Sequence, residues 1–140
     1  MKTTCTLMCV VFVYVRSVLA RCVRNTVNRL WGDAVMRKIS YEVTCICKSS
    51  ARRNALKNWL VCGHIVSVLQ GGAISAHLVV LDEPTWGLEI RYVFPSRRAF
   101  DLYELDHAPA LRTEGEQLFS DVIMARRVGE IVHEEISVGS

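Results

Sequence analysis

Ser96–Asp121, SRRAFDLYELDHAPALRTEGEQLFSD, decides how the rest of the chain is read. Ser96 suits a helix start, because its hydroxyl can accept from a backbone N–H that the first turn leaves unpaired. Phe100, Tyr103 and His107 then fall along one helical stripe. Pro109 disfavours helical backbone at Ala108 and puts a break near His107. Leu111, Gly115, Leu118 and Phe119 follow at i, i+4, i+7 and i+8, a second stripe. The spacing predicts two helical pieces in succession, each needing an apolar surface to cover.

Alternating segments on both sides supply that surface. Immediately upstream, Leu88, Ile90, Tyr92 and Phe94 alternate with Glu89, Arg91 and Val93, which predicts a strand with its first set inward. Asp82–Gly87 reads as a hairpin loop behind a strand over 73–81. In that strand Ile74, Ala76, Leu78 and Val80 share one face, and Ser75, His77, Val79 and Leu81 the other. Further back, Ile39, Tyr41, Val43, Cys45 and Cys47 alternate with Ser40, Glu42, Thr44 and Ile46. Between these strands, Lys48-Ser49-Ser50 offers an N-cap to a helix carrying Leu56, Trp59 and Leu60. Gly63 is placed to bend it before Ile65, Val68 and Leu69, and Gly71-Gly72 ends it. Downstream, residues 122–128 give a last strand and 129–140 a polar tail.

The order is βαββαβ. It predicts an α+β, ferredoxin-like domain over 39–128, with an antiparallel sheet and helices on one face. The opposite sheet face then carries Glu42, Thr44, His77, Glu89, Arg91 and one of Arg126-Arg127, mixed with Ile46, Val79, Leu81, Val93 and either Val122 and Met124 or Ile123 and Ala125. Such a face is too apolar to stay in water, so pairing with the same face of a second copy is expected, giving a two-fold homodimer.

Composition narrows the function classes. A chain of 140 residues has room for one domain with a real core, and 51% apolar content with 22% charge excludes disorder. The net charge of +3 is unevenly distributed. Residues 1–38 hold seven bases against one acid, whereas residues 39–140 hold ten bases against thirteen acids. The folded part is mildly acidic and has no electrostatic reason to seek phosphate backbones, so nucleic acid is not an expected partner. Tyr92 and Phe94 lie on a strand position where RNA-recognition modules stack bases, but face the core and lack the basic-aromatic signature. Cysteines at 5, 9, 22, 45, 47 and 62 contain no C-x-x-C pair, so no zinc or thioredoxin-type site is spelled out. Cys45 and Cys47 share a strand face and read as reduced core residues, pointing to the cytoplasm.

Residues 1–38 stand apart as a basic and apolar extension. Cys5–Val15 is too short to span a membrane, but has the length of a signal h-region, with Lys2 before it and Val18-Leu19-Ala20 behind. Arg16 weakens that reading, and Arg21 before Cys22 weakens a lipoprotein one. Leu19, Val23, Val27 and Leu30 with intervening arginines form a basic amphipathic stretch of the membrane-surface kind. Met36, directly before the first strand, offers an alternative translation start, the favoured reading. Export, or membrane association through residues 1–35, is the alternative.

Tyr41-Glu42-Val43-Thr44, Trp59-Leu60 with His64-Ile65 and Val68-Leu69, and above all Tyr103…His107-Ala108-Pro109…Leu111-Arg112…Gly115…Phe119 carry a resemblance. Over about residues 39–128 the chain resembles a family of small bacterial proteins known only as a domain of unknown function. That family looks related to the dimeric α/β-barrel proteins, which include antibiotic-biosynthesis monooxygenases. The resemblance implies a ferredoxin-like fold and dimerisation, and no assigned activity.

His64 and His107 are the candidate catalytic residues. Each stands at a helix end or break on the same side of the sheet, where one pocket can receive both. There histidine can act as base or hydrogen-bond donor. The structural alternative is that each ties off helix-end carbonyls freed by Gly63 and Pro109. Two histidines fall short of a metal site, and no cofactor is implied. Asp101, Glu104 and Asp106 read as a solvated face, with Glu104 within reach of His107. Trp59, Tyr103 and Phe119 are the expected pocket walls. Glu42, His77, Glu89 and Arg91 either line a dimer cavity or form salt bridges across its seam. There is no phosphate-binding glycine loop and no G-x-S-x-G elbow. The expected function is a dimeric small-ligand-binding or interaction protein. The alternative is a cofactor-light oxygenase or isomerase using His64 and His107.

Overall fold

The computed structural model describes residues 36–139. The leader, anchor and alternative-start readings of residues 1–35 lie outside them. Strand β1 (Ile39–Ile46) leads into helix α1 (Ser50–Trp59), a wide π turn (Leu60–His64) and helix α2 (Ile65–Gln70). Strands β2 (Ser75–Val80) and β3 (Gly87–Phe94) form the hairpin. Helices α3 (Arg97–Asp106) and α4 (Ala108–Leu118) precede strand β4 (Ile123–Glu130).

All neighbouring strands are antiparallel in the order β2-β3-β1-β4. The βαββαβ reading therefore holds, as a ferredoxin-like α+β sheet. Two boundaries differ from the sequence reading. β2 is shorter than 73–81, although Ile74 N–H still donates to Val93 O and Leu81 N–H to Gly87 O at its ends. β4 runs on to Glu130, because Ser40 and Ile39 give Gly129 and Glu130 strand partners. The polar composition of 129–130 had concealed this edge pairing.

Local chemistry explains the helix boundaries. Ser49 and Ser96 are extended N-caps whose hydroxyls accept from Arg52 N–H and Ala99 N–H, each at 3.1 Å. Pro109 sits in the first turn of α4, where its missing N–H costs nothing, and His107 forms the joint. Gly72, with φ of 121°, takes the left-handed conformation that closes the end of α2. Gly71 beside it lets the chain pass close to α3: a Cβ there would stand 2.9 Å from the Tyr103 ring.

The core lies between helices and sheet. Ile39, Leu88 and Phe94 on the sheet and Leu56 on α1 are wholly shut off from solvent. Tyr41, Tyr92, Phe94, Phe100 and Tyr103 form a continuous aromatic cluster, with ring centroids 5.0–6.2 Å apart. Burying such side chains contributes about 1.5–3 kcal/mol each, so this face holds the domain together. Arg52 ties α1 to the α4–β4 loop: its guanidinium reaches both Asp121 oxygens at 2.6–3.1 Å and Leu118 O at 2.7 Å.

Candidate functional site

The break in the first helical stretch builds the site. Leu56 of α1 and Leu60 of the π turn are buried, and at Gly63 the backbone leaves helical geometry (φ 179°, ψ −37°). Ser67 Oγ–H donates to the Gly63 carbonyl at 3.2 Å, satisfying a group the widened turn would leave open. The wide turn shifts the register, so that His64 follows Trp59 onto the inner face. Their ring centroids are 4.2 Å apart. Such π turns recur at functional sites.

His64 and Trp59 form one wall of a cleft between helices and sheet. Tyr41, Val43 and Cys45 of β1 make its floor with Ile90 of β3. Tyr103 of α3 and Leu111, Arg112 and Gly115 of α4 close it opposite, and Met124 and Arg126 of β4 flank its edge. The cleft encloses about 50 Å³, enough for a few waters or part of a small molecule. Gly115 packs against α1: a Cβ there would meet the Trp59 ring at 3.4 Å, in ordinary contact.

Its polar groups are mostly uncharged. Burial lowers the pKa of His64 below its ordinary 6.5, opposed by Glu114, and so favours a neutral imidazole. Burial, helped by Cys47, pushes the Cys45 thiol up to about 12. It also raises the Tyr103 phenol well above its usual range. The exceptions are Arg112 and Arg126. Arg112 pairs one guanidinium nitrogen with Glu104, and the Tyr41 phenol lies beside it. Among the described residues, two buried side-chain polar atoms lack a hydrogen-bond partner: His64 Nδ1 and Arg112 Nε. Both residues line this cleft.

Three of the five helix-side candidates come together here: Trp59, His64 and Tyr103. The idea that both histidines face one pocket needs correction. His107 is exposed and stacks on the outer side of Tyr103, centroids 6.4 Å apart, because the α3–α4 joint turns it away. Neither histidine side chain caps a helix; Ser67 and backbone N–H groups take the free carbonyls instead. Glu104 reaches Arg112 and not His107. Phe119 is buried behind Trp59 at 5.3 Å, with the Arg52 guanidinium 4.7 Å over its ring. It lines a separate shallow groove with Glu116 and Val122.

The remaining candidates share the opposite sheet face. His77, Arg91, Glu42 and Arg127 stand in one cross-strand row, and Val79, Glu89, Thr44 and Ala125 in the next. Glu89 is buried, 6% exposed, held by Arg91 Nε and by Arg127 at 3.6 Å. Arg127 also pairs with Glu42 at 3.1 Å. Glu42, Glu89 and Arg91 thus already form an ion-pair lattice within one chain, beside exposed His77.

Sequence reasoning missed Arg112 and Arg126. A signal existed for the second: Arg126 shares strand parity with Met124, so a sheet facing the helices with Met124 must also turn Arg126 inward. Arg112 has no such marker, because a helix-face arginine ordinarily reads as solvated.

An antiparallel four-stranded sheet covered on one side by helices, with a cleft between the layers, defines a ferredoxin-like α+β protein. Residues 38–129 match the domain of unknown function DUF4286, and the chain belongs to that family. No curated protein matches it in sequence. Among solved structures it is similar to a dimeric ferredoxin-like protein from an uncultured marine organism. That match has a TM-score of 0.59 and 11% identity, covering 71% of this chain and 99% of that one. A second dimeric ferredoxin-like protein of such origin gives a TM-score of 0.55 and 12% identity, covering 75% and 96%. A Streptomyces coelicolor monooxygenase, solved with the ligand nanaomycin D, gives 0.56 and 14%, covering 75% and 96%. At these identities the likeness speaks for the fold alone.

Proposed function

We propose that this DUF4286 member is a homodimer that binds a small molecule in the cleft between its helices and sheet. One observation carries the binding reading: His64 Nδ1 and Arg112 Nε, both buried and unpaired, belong to walls of the same cleft. A buried polar group without a partner costs about 1–3 kcal/mol, and a ligand that parts the cleft walls far enough to reach it recovers that cost. Dimerisation is supported by the uncovered sheet face, where Ile123 is 68% exposed among half-buried Ile46, Val79 and Val93. Unpaired, buried Cys45 and Cys47 support a reducing compartment such as the cytoplasm. Among the described residues no helix is long and apolar enough to cross a membrane.

A second reading, an oxygenase or isomerase acting without a dedicated cofactor, is favoured by His64 alone. A neutral imidazole with a free nitrogen in an apolar cleft is suited to take a proton. His107 has no part in that reading. Native mass spectrometry of the full chain tests the main proposal: a dimer carrying an additional small mass is the expected result. A bare monomer would overturn it.

A further inference from the structure

We infer that the cleft accepts a small organic monoanion, a carboxylate on a compact apolar body, held by Arg112 and Arg126. This rests on the ligand-binding reading above and names its chemical class. Two arginines line the cleft, and no aspartate or glutamate does. Arg112 gives part of its fork to Glu104, which approaches from α3, and its Nε stays unpaired. Among the described residues Arg126 has no acidic partner within 4.0 Å. Glu104 compensates Arg112 in part, and among the described residues no internal anion compensates Arg126. The thiol of Cys45 and the phenol of Tyr103, the acidic groups close to Arg126, are both held protonated at neutral pH by burial. Positive charge that has no counterpart beside a low-dielectric cavity attracts an anion from solution.

The rest of the lining sets the body of the ligand. Val43, Leu56, Leu60, Ile90, Leu111 and Met124 offer no hydrogen bonds, and Trp59 offers a flat aromatic wall. A phosphate would need a denser donor set, such as successive backbone N–H groups, and the glycine present, Gly115, lies inside a helix. One carboxylate matches the donors that Arg112 and Arg126 have left, in the planar geometry guanidinium groups favour. His64 Nδ1 remains for a second polar atom on the ligand.

Benzoate and benzamide probe this directly, being alike in ring and size and differing in charge. Each is titrated into the full-length protein and followed by NMR, using the Trp59 indole and His64 imidazole signals to locate binding. Benzoate is expected to bind at least tenfold more tightly than benzamide. Arg126→Gln, at an exposed position that should leave the melting temperature unchanged, is expected to weaken benzoate about tenfold and leave benzamide alone. Equal binding of the two probes, or unchanged benzoate binding in Arg126→Gln, would overturn the anion inference while the ligand-binding reading stands. Binding of neither would also overturn it, and a copurified mass by native mass spectrometry then decides separately whether the cleft takes any ligand.

Discussion

The two faces of this sheet are made from the same strands and solve opposite problems. Toward the helices, Ile39, Tyr41, Leu88, Tyr92 and Phe94 form an aromatic and aliphatic layer with little access to water. On the reverse, Glu42, Glu89, Arg91 and Arg127 form an ion-pair lattice edged by Ile46, Val79 and Ile123. The first face carries the stability and, where α1 widens into its π turn, opens a cleft. The second has too much apolar surface for water and too much charge for a core. That mixture fits a face that meets another copy of itself, where ion pairs set orientation and apolar area drives association.

The largest expected effect lies on the helix side. Phe94→Ala removes a fully buried ring packed on Phe100 and Tyr103 and should cost about 3–5 kcal/mol. Urea denaturation measures it, and a cost below about 1 kcal/mol would mean that the cluster does not hold the layers together.

Glu89→Ala on the reverse face should cost less, about 0–1 kcal/mol, because Arg91 and Arg127 are largely exposed and water takes the place of their shared carboxylate. Its cost should grow with protein concentration if the face is paired in a dimer, because a monomeric effect is independent of concentration. Melting curves at several concentrations distinguish the two.

A smaller effect concerns pH. Burial places the folded pKa of His64 below its ordinary 6.5. Above pH 6.5 the imidazole is neutral in both states and its packing on Trp59 is fully retained. As pH falls below 6.5 the unfolded chain takes the proton first, so stability is lost from there down through the folded value. Asp121, held down by its hydrogen bonds from Arg52, loses its contribution only below its ordinary 3.8, so the His64 loss begins at a higher pH. Urea midpoints between pH 7.5 and 5 should decline in the wild type, and decline less in His64→Phe.

The smallest effect is chemical. Among the described cysteines, Cys62 is exposed while Cys45 and Cys47 are buried, and Cys45 is pushed up to about 12. Iodoacetamide at neutral pH should modify Cys62 first in peptide maps. Early labelling of Cys45 would show that the floor of the cleft opens readily.

Much of this architecture was legible because strand alternation and serine caps are local signals. Ser96, Pro109 and the Leu88–Phe94 alternation specify elements from a few neighbouring residues, and the observed α3, α4 and β3 follow them. The site was legible only in part. Trp59 and Tyr103 carry inward periodicity and His64 joins them through the π turn, but which side of Tyr103 faces the cleft depends on the α3–α4 joint, and that joint turns His107 outward. Phe119 was misplaced for a similar reason, since α1 intervenes between it and the cleft. Arg112 and Arg126 escaped because a lone arginine looks solvated until tertiary packing brings it to a cavity.

Sedimentation velocity of the full chain, alongside Ile123→Asp, tests the division between the faces most directly. Ile123 is exposed on the reverse face and pairs across β1 with Ile46, away from the helix-side core. The wild type should sediment as a dimer, and Ile123→Asp as a monomer that still unfolds cooperatively. A wild type that stays monomeric at all concentrations would contradict the account, because its mixed face would then need no second copy.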